Sequence, residues 1–187
     1  LPSADGSAHC RELYNYGARK VYTIDDPKLA HYQNDYYSHA MEQLIKEKKP
    51  EVVLFGATVI GRSLAPTIAV MTNAGLTADC TELDFDVENG NLLQTRPAFG
   101  GNIMATIICP DHRPQMATVR SNVFKKTKIS DNETGEQVSC KVDLSGIPER
   151  MRRLEYVKEE DANTIDLNAA KFIVSGGRGV GAPENFK

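Results

Sequence analysis

The residues of this chain best suited to binding a ligand lie near its end, in the segment Ser175-Gly176-Gly177-Arg178-Gly179. A glycine-rich turn that follows a strand lets the backbone approach a ligand closely. Pro183 and Glu184 then signal the start of a helix. Backbone N–H groups at such a junction favour an anionic phosphate, and Arg178 adds a fork of donors. Taken alone, however, the pattern favours a structural glycine turn, because glycine serves turns generally, and a phosphate-bearing ligand is the alternative.

A second glycine-rich turn, Gly56–Ser63, follows the predicted buried strand Glu51–Phe55. Parallel α/β sheets bind ligands at the carboxyl ends of their strands, which is where this turn lies. The turn is similar to a phosphate-binding turn but lacks the lysine of a P-loop. We favour a structural or interface role for it, and nucleotide binding is the alternative.

Polar side chains also gather at the turn ends of residues 91–120, namely Arg96, Asn102, His112, Arg113 and Arg120. One interpretation is hydrogen bonding within the turns, because buried turns must satisfy their backbone groups. The other is contact with a partner subunit, because arginine is enriched at protein interfaces. On the second interpretation, Arg113→Ala would weaken subunit association.

Metal and catalytic chemistry receive little support from the sequence. Cys109 and His112 have Cys-x-x-His spacing, but no second pair accompanies them and a zinc site needs about four ligands. The four cysteines lack Cys-x-x-Cys spacing and are interpreted as reduced thiols. No combination of serine, histidine and acid indicates a nucleophile, so we predict neither a metal site nor catalytic residues.

Alternating strands and helices must position these residues. A helix tail ends at Gly17, a strand covers Val21–Ile24, and an amphipathic helix covers residues 33–48. After the strand Glu51–Phe55, a second helix over residues 59–74 contains Pro66, which predicts a kink or a break. This order implies right-handed crossovers and a parallel sheet with helices on both faces.

The pattern changes after Gly75. Asp79–Asp86 and Leu92–Arg96 are predicted strands of a hairpin whose turn contains Asn-Gly, the second strand ending at Pro97. Ile103–Cys109 is almost wholly apolar and predicts a strand covered on both faces, followed by the strand Met116–Arg120. The predicted fold class is therefore α/β, with a mostly parallel sheet and antiparallel hairpin strands.

The remaining elements are shorter. Residues 125–139 are polar and predict a mobile surface loop. Short strands are predicted at Val142–Leu144, Leu154–Val157 and Ala169–Val174, with an acidic linker between the last two.

Length and composition restrict the function classes. A chain of 187 residues fits one domain, or one domain and a fragment of a second. A net charge of −3 and a pI near 5.8 argue against general nucleic-acid binding. No apolar run reaches the length that membrane insertion requires, and the leucine at position 1 begins no signal peptide.

Four blocks in this chain closely resemble the alpha subunit of electron-transfer flavoproteins. They are GATVIGRSLAPTIA at 56–69, GLTADCTELD at 75–84, TRPAFGGNIMATIICPDHRPQMATVR at 95–120 and SGGRGVGAPENFK at 175–187. The resemblance extends from about Tyr14 to Lys187. It implies that residues 1–158 form the N-terminal α/β domain without its opening strand–helix unit, that 159–168 form a linker, and that 169–187 supply the first strand and turn of a truncated FAD-binding domain.

The resemblance also implies a function and its partners. Members of the family carry FAD and shuttle electrons between a flavin dehydrogenase, such as acyl-CoA dehydrogenase of fatty acid β-oxidation, and an acceptor. They work as a heterodimer with a beta subunit, as carriers rather than enzymes with their own substrate. The expected location is the bacterial cytoplasm, or the mitochondrial matrix in a eukaryote.

The resemblance assigns FAD contact to Arg178, with the neighbouring Gly177 and Gly179. The family places most other FAD contacts further along the chain than Lys187, and ligand pockets bury most of their ligand. We therefore predict that these 187 residues do not hold FAD by themselves. The rival functions are a stand-alone nucleotide-binding module that uses the Gly56–Ser63 turn, and a purely structural domain.

Overall fold

The computed structural model of this chain describes residues 6–155, 157, 167 and 170–186. Its contacts divide the chain into two units, Leu1–Arg150 and Met151–Lys187. Most of the predicted 159–168 linker lies outside the described residues. The first unit contains all the helices and strands named below, and each unit is considered by itself.

Three α-helices and eight strands make up the described part of the first unit. The helices are α1 (Gly6–Asn15), α2 (Asn34–Lys48) and α3 (Val59–Met71). The strands are β1 (Lys20–Ile24), β2 (Val52–Gly56), β3 (Leu76–Cys80), β4 (Glu82–Asp86), β5 (Asn91–Ala98), β6 (Ile103–Ile107), β7 (Gln115–Val119) and β8 (Glu136–Cys140).

The helices begin and end where the sequence provides signals. After α1, Gly17 has a φ of 99°, which a glycine adopts without steric cost. Lys49 ends α2 in the left-handed conformation and donates its N–H to Ile45 O. Thr58 caps α3 by accepting a hydrogen bond from the Gly61 N–H. The helix continues through Pro66, so the predicted break does not occur.

Parallel pairing dominates the first unit. The order β2-β7-β3 forms one parallel sheet, and β1 pairs in parallel with β8. An antiparallel sheet of order β4-β5-β6 contains the hairpin whose turn is at Asn89-Gly90. The predicted α/β fold class, with parallel strands and an added antiparallel hairpin, is confirmed.

The apolar core lies between α2, α3 and the β2-β7-β3 sheet. Ile68 of α3 and Met116 of the central strand β7 are fully buried, and Ile45 of α2 packs against them. A second cluster joins Tyr36 of α2 to Leu144. Burial of these side chains is what fixes both helices on the sheet.

Two predicted strands differ from the structure near the hairpin. Ile103–Cys109 was expected to be covered on both faces, but β6 is an edge strand and most of its residues are exposed. The apolar run suits a buried strand equally well, so only tertiary pairing separates the two cases. The predicted strand Asp79–Asp86 is divided at Thr81, because its halves pair in different sheets.

Pro97 does not end its strand as predicted. It lies within β5 and pairs with Met104, whereas the β4 partners of β5 reach only Thr95. Proline is tolerated at such an edge position because no ladder partner there needs its missing N–H.

The later predictions also need correction. The end of the predicted loop 125–139 belongs to β8, because Glu136 pairs with Lys20 of β1. No strand forms at Val142–Leu144, or among the described residues of Leu154–Val157. The strand expected at Ala169–Val174 is absent from residues 170–174, where Phe172 is 92% exposed. A strand needs a hydrogen-bonded neighbour, and the described residues provide none there.

Candidate functional site

The turn around Arg178 lies in the second unit. We call residues 175–186 the Arg178 loop. Two short 3-10 turns, Arg178–Val180 and Pro183–Asn185, shape it. The Val180 N–H donates to Gly177 O at 3.0 Å, and the Gly181 N–H donates to Arg178 O at 3.2 Å. The glycine-rich sequence thus forms the tight turn that its composition predicts.

The N–H donors of residues 177 to 179 have no acceptor among the described residues. The Arg178 side chain is exposed and likewise makes no hydrogen bond within the described part of the chain. A Cβ added at Gly177 or Gly179 would meet no atom within 4 Å.

This donor set fits a phosphate group. Successive backbone N–H groups form a concave surface that attracts anions, and a guanidinium binds phosphate through two parallel hydrogen bonds. The pyrophosphate of FAD is an anion of this kind. The three residues for which the family resemblance implies FAD contact are therefore adjacent, exposed and without competing partners among the described residues.

The Gly56–Ser63 turn lies at the carboxyl edge of the β2-β7-β3 sheet, as predicted. The Ala57 N–H donates to Val119 O at 2.8 Å, which joins the turn to β7. The Thr58 Oγ1 accepts from the Gly61 N–H at 3.1 Å. A Cβ at Gly61 would lie 1.9 Å from the Gly56 carbonyl oxygen, so the turn requires glycine at that position.

A carboxylate already lies beside this turn. Arg120 donates to both oxygens of Asp79, at 3.2 Å and 2.6 Å, and Arg62 donates to one of them at 3.4 Å. The hydrogen bonds from Arg120 hold the pKa of the Asp79 carboxyl below its usual value, and the charge of Arg62 acts in the same direction. The arginines next to the turn thus have an internal anionic partner, which argues against a phosphate site there.

Asp79 is a residue that the sequence did not reveal. Its φ of 63° is uncommon for a residue other than glycine. It lies at an irregularity in the β3–β7 pairing, where its N–H donates to Thr118 Oγ1 at 2.8 Å. Nothing in the local sequence marks this conformation, because it depends on β7 and on two arginines distant in sequence.

The arginines of residues 91–120 do not form one cluster. Arg120 follows β7, whereas Arg113 precedes it and bonds at the other end of the strand. The Arg113 guanidinium donates to the Glu51 carboxylate and to the carbonyl oxygens of Cys109, Pro110, His112 and Gly90. These contacts favour the interpretation in which Arg113 satisfies turn carbonyls.

The edge strand β6 exposes apolar side chains, although the sequence pattern predicts that they are buried. Ile103 is 59% exposed and Met104 54% exposed, and Ile108 follows them with 47% exposed. We call these three residues and Ile107 the β6 surface. Folded proteins rarely leave an apolar edge strand without protection, since it can pair with another chain.

Within the described ranges, no group of three or more histidine, cysteine or acidic side chains is arranged to bind a metal ion. The helices in the same ranges are too short or too polar to cross a bilayer. All four cysteines are free thiols.

Comparison with known proteins gives a family match and similar proteins whose names agree with it. Residues 2–145 match the model of the electron transfer flavoprotein domain family. The chain is 51% identical over 176 residues to the electron transfer flavoprotein subunit alpha of Thermoanaerobacterium thermosaccharolyticum, covering 94% of this chain and 53% of that protein. It is 48% identical to the subunit of the same name from Clostridium acetobutylicum, covering 95% of this chain and 53% of that protein.

A third relative has a different name. The acryloyl-CoA reductase electron transfer subunit beta of Anaerotignum propionicum is 42% identical over 194 residues, covering 91% of this chain and 53% of that protein. The chain thus spans about half the length of these curated relatives.

Proposed function

This chain belongs to the electron transfer flavoprotein family, with its alpha subunits among its relatives, and from that premise we propose that it is the first half of an FAD-dependent electron carrier. The complete protein would bind one FAD, pair with a beta subunit, and pass electrons from a flavin dehydrogenase to an acceptor. FAD supplies the redox chemistry, and the protein binds the cofactor and tunes its potential. Residues 1–158 are the scaffold domain in this proposal, and 169–187 begin the FAD-binding domain.

The open donor set of the Arg178 loop is the observation that carries the proposal. Within the described part of the chain, the guanidinium of Arg178 and the N–H groups of Gly177, Arg178 and Gly179 have no partner, so they would be available to the pyrophosphate of FAD. These residues would hold and orient the cofactor, while the remainder of the pocket comes from other parts of the complete protein. The loop alone leaves its donors in water, so it does not retain FAD without that pocket.

A fusion protein tests this assignment. The 187 residues are continued by the C-terminal half of the Thermoanaerobacterium relative and expressed with a beta subunit. We expect the fusion to retain flavin after gel filtration and Arg178→Ala to lose most of it. Arg178→Lys should retain an intermediate amount of flavin, because lysine keeps the positive charge but lacks the planar set of N–H donors of the guanidinium.

The matched control for this experiment is Lys171→Ala, which removes another exposed cation of the same unit. The control should retain as much flavin as the parent fusion. A folded fusion without flavin, or an Arg178→Ala variant with a full complement of flavin, would refute the assignment.

We assign the beta-subunit contact to the β6 surface. Interfaces of permanent complexes are rich in apolar residues, and β6 exposes an isoleucine–methionine pair on a strand edge.

Met104→Glu should weaken association with the beta subunit at least tenfold, since it places a charge in an apolar contact. Val70→Glu, which changes an exposed apolar residue of α3, should leave the affinity unchanged. If a calorimetric titration shows that Met104→Glu binds the beta subunit as tightly as Val70→Glu and the parent do, the β6 surface is excluded as the beta-subunit contact.

The electron donor is proposed from the relatives. The name of the Anaerotignum protein connects that relative with acryloyl-CoA reductase, and we extend an acyl-CoA dehydrogenase type of partner to this chain. The three relatives described above come from bacteria, which supports a cytoplasmic location, with the mitochondrial matrix as its eukaryotic counterpart.

A further inference from the structure

The Arg178 loop is closed by contacts between its two ends. A Cβ added at Gly176 would lie 2.3 Å from Cε2 of the Phe186 ring and 2.7 Å from Cγ2 of Val180. The ring therefore occupies the space that any side chain at position 176 would need. Only glycine allows the aromatic ring to approach the backbone this closely.

Hydrogen bonds strengthen the closure. The Asn185 side-chain Nδ2 donates to Val180 O at 2.9 Å, which joins the second half of the loop to the turn that contains Arg178. The Asn185 N–H donates to Ala182 O at 3.0 Å, and the Phe186 N–H donates to Pro183 O at 3.1 Å. These bonds place the Phe186 ring against the Cβ position of Gly176.

The closing contacts of the loop lie outside residues 177 to 179. The Phe186 ring occupies the Cβ position of Gly176, whereas a Cβ at Gly177 or Gly179 would meet no atom within 4 Å. None of the hydrogen bonds that close the loop uses the N–H groups of residues 177 to 179. The closing contacts can therefore order the turn without occupying its donors.

We propose that Gly176, Asn185 and Phe186 are positioning residues that hold the Arg178 loop in its FAD-binding conformation. The inference rests on the proposed function, since it assigns the loop to the pyrophosphate of FAD. The three residues act through Arg178 and its neighbouring N–H groups and do not themselves touch the ligand. A loop that is ordered before binding loses less conformational entropy when the anion binds, so it binds more tightly.

Nuclear magnetic resonance on the 187-residue chain tests the proposal without the complete FAD pocket. Two quantities are measured for the backbone N–H groups of Gly177, Arg178 and Gly179. One is the ¹⁵N heteronuclear NOE, which reports motion faster than nanoseconds. The other is the change in chemical shift during a titration with inorganic pyrophosphate.

The variants separate positioning from stability. Phe186→Ala should lower the NOE at residues 177 to 179 and weaken pyrophosphate binding about threefold to tenfold. Phe186→Tyr keeps the ring and should restore both values. Val174→Ala removes another exposed apolar side chain of this unit and should change neither. The urea midpoint of the chain should be the same in all three variants.

The outcomes distinguish this inference from the proposed function. An unchanged NOE and unchanged pyrophosphate affinity in Phe186→Ala would overturn the positioning role. If the parent chain shows no pyrophosphate shifts at residues 177 to 179, the anion site of the proposed function fails. In that case the NOE alone decides the positioning role, with lost order in Phe186→Ala supporting it and retained order refuting it.

Discussion

Gly61→Ala gives the sharpest test of the turn between β2 and α3. Gly61 is the third residue of α3, and a Cβ there would lie 1.9 Å from the Gly56 carbonyl oxygen, whereas real Cβ contacts stay beyond about 3.0 Å. The backbone must therefore open by about 1.1 Å, the difference between these two distances. The obstructing atom belongs to the backbone at the end of β2, so no side-chain rotation can relieve the contact.

The expected cost follows from three contributions. Overpacking of a tight contact costs about 1–3 kcal/mol. Moving the Gly61 N–H away from Thr58 Oγ1 weakens the helix cap, which is worth about 1 kcal/mol. Alanine is the better helix former by up to about 1 kcal/mol, which offsets part of the loss. We expect the free energy of unfolding to fall by about 1–3 kcal/mol.

Urea denaturation followed by circular dichroism measures this change. The control is Gly146→Ala, where a Cβ would meet no atom within 4 Å and the change in midpoint should be small. Helix propensity alone predicts the opposite sign, because it favours alanine in α3. A Gly61→Ala variant as stable as the parent would refute the close approach of α3 to the end of β2.

Two further predictions concern charged side chains, and those for Arg178 and Met104 accompany the proposed function. The hydrogen bonds from Arg120 lower the folded-state pKa of Asp79, so the stabilisation is complete above its ordinary pKa of 3.8 and is lost as the pH falls through the lowered value. Asp79→Asn should therefore destabilise the chain at neutral pH and less so in acid, and an equal loss at both pH values would contradict the ion pair. Arg113→Ala and Arg113→Lys should both lower the urea midpoint. Each removes the guanidinium, whose N–H donors join the Glu51 carboxylate to the carbonyl oxygens of the turn. Full stability together with weaker subunit association would instead support an interface role for Arg113.

Local signals in the sequence predicted much of the fold. Gly17 ends α1 with a positive φ, Thr58 caps α3, and Asn89-Gly90 forms the hairpin turn. These features depend on interactions within a few residues, which the sequence contains in full. The Arg178 loop belongs to the same class, because its glycines and its proline act over a dozen residues.

The strand predictions that were wrong depend on pairing between strands that are distant in the sequence. The apolar run Ile103–Ile107 suits a central or an edge strand equally well, and only its neighbour β5 makes it an edge. Glu136–Cys140 is polar enough to resemble a loop, yet it pairs with β1, more than a hundred residues earlier. The continuous strand predicted over Asp79–Asp86 is divided because Cys80 pairs with β7, whereas Glu82 pairs with β5 in a different sheet.

The sequence by itself determined the family, the α/β class and the tight glycine turn of the Arg178 loop, because motifs and local periodicity carry that information. The tertiary structure alone decided which arginines have partners and which surface is apolar. Asp79 reaches Arg62 and Arg120 only after β3 and β7 have paired, and its left-handed conformation lies at the irregularity in that pairing. Side-chain partnerships across a sheet are set by strand register, and register depends on the whole chain.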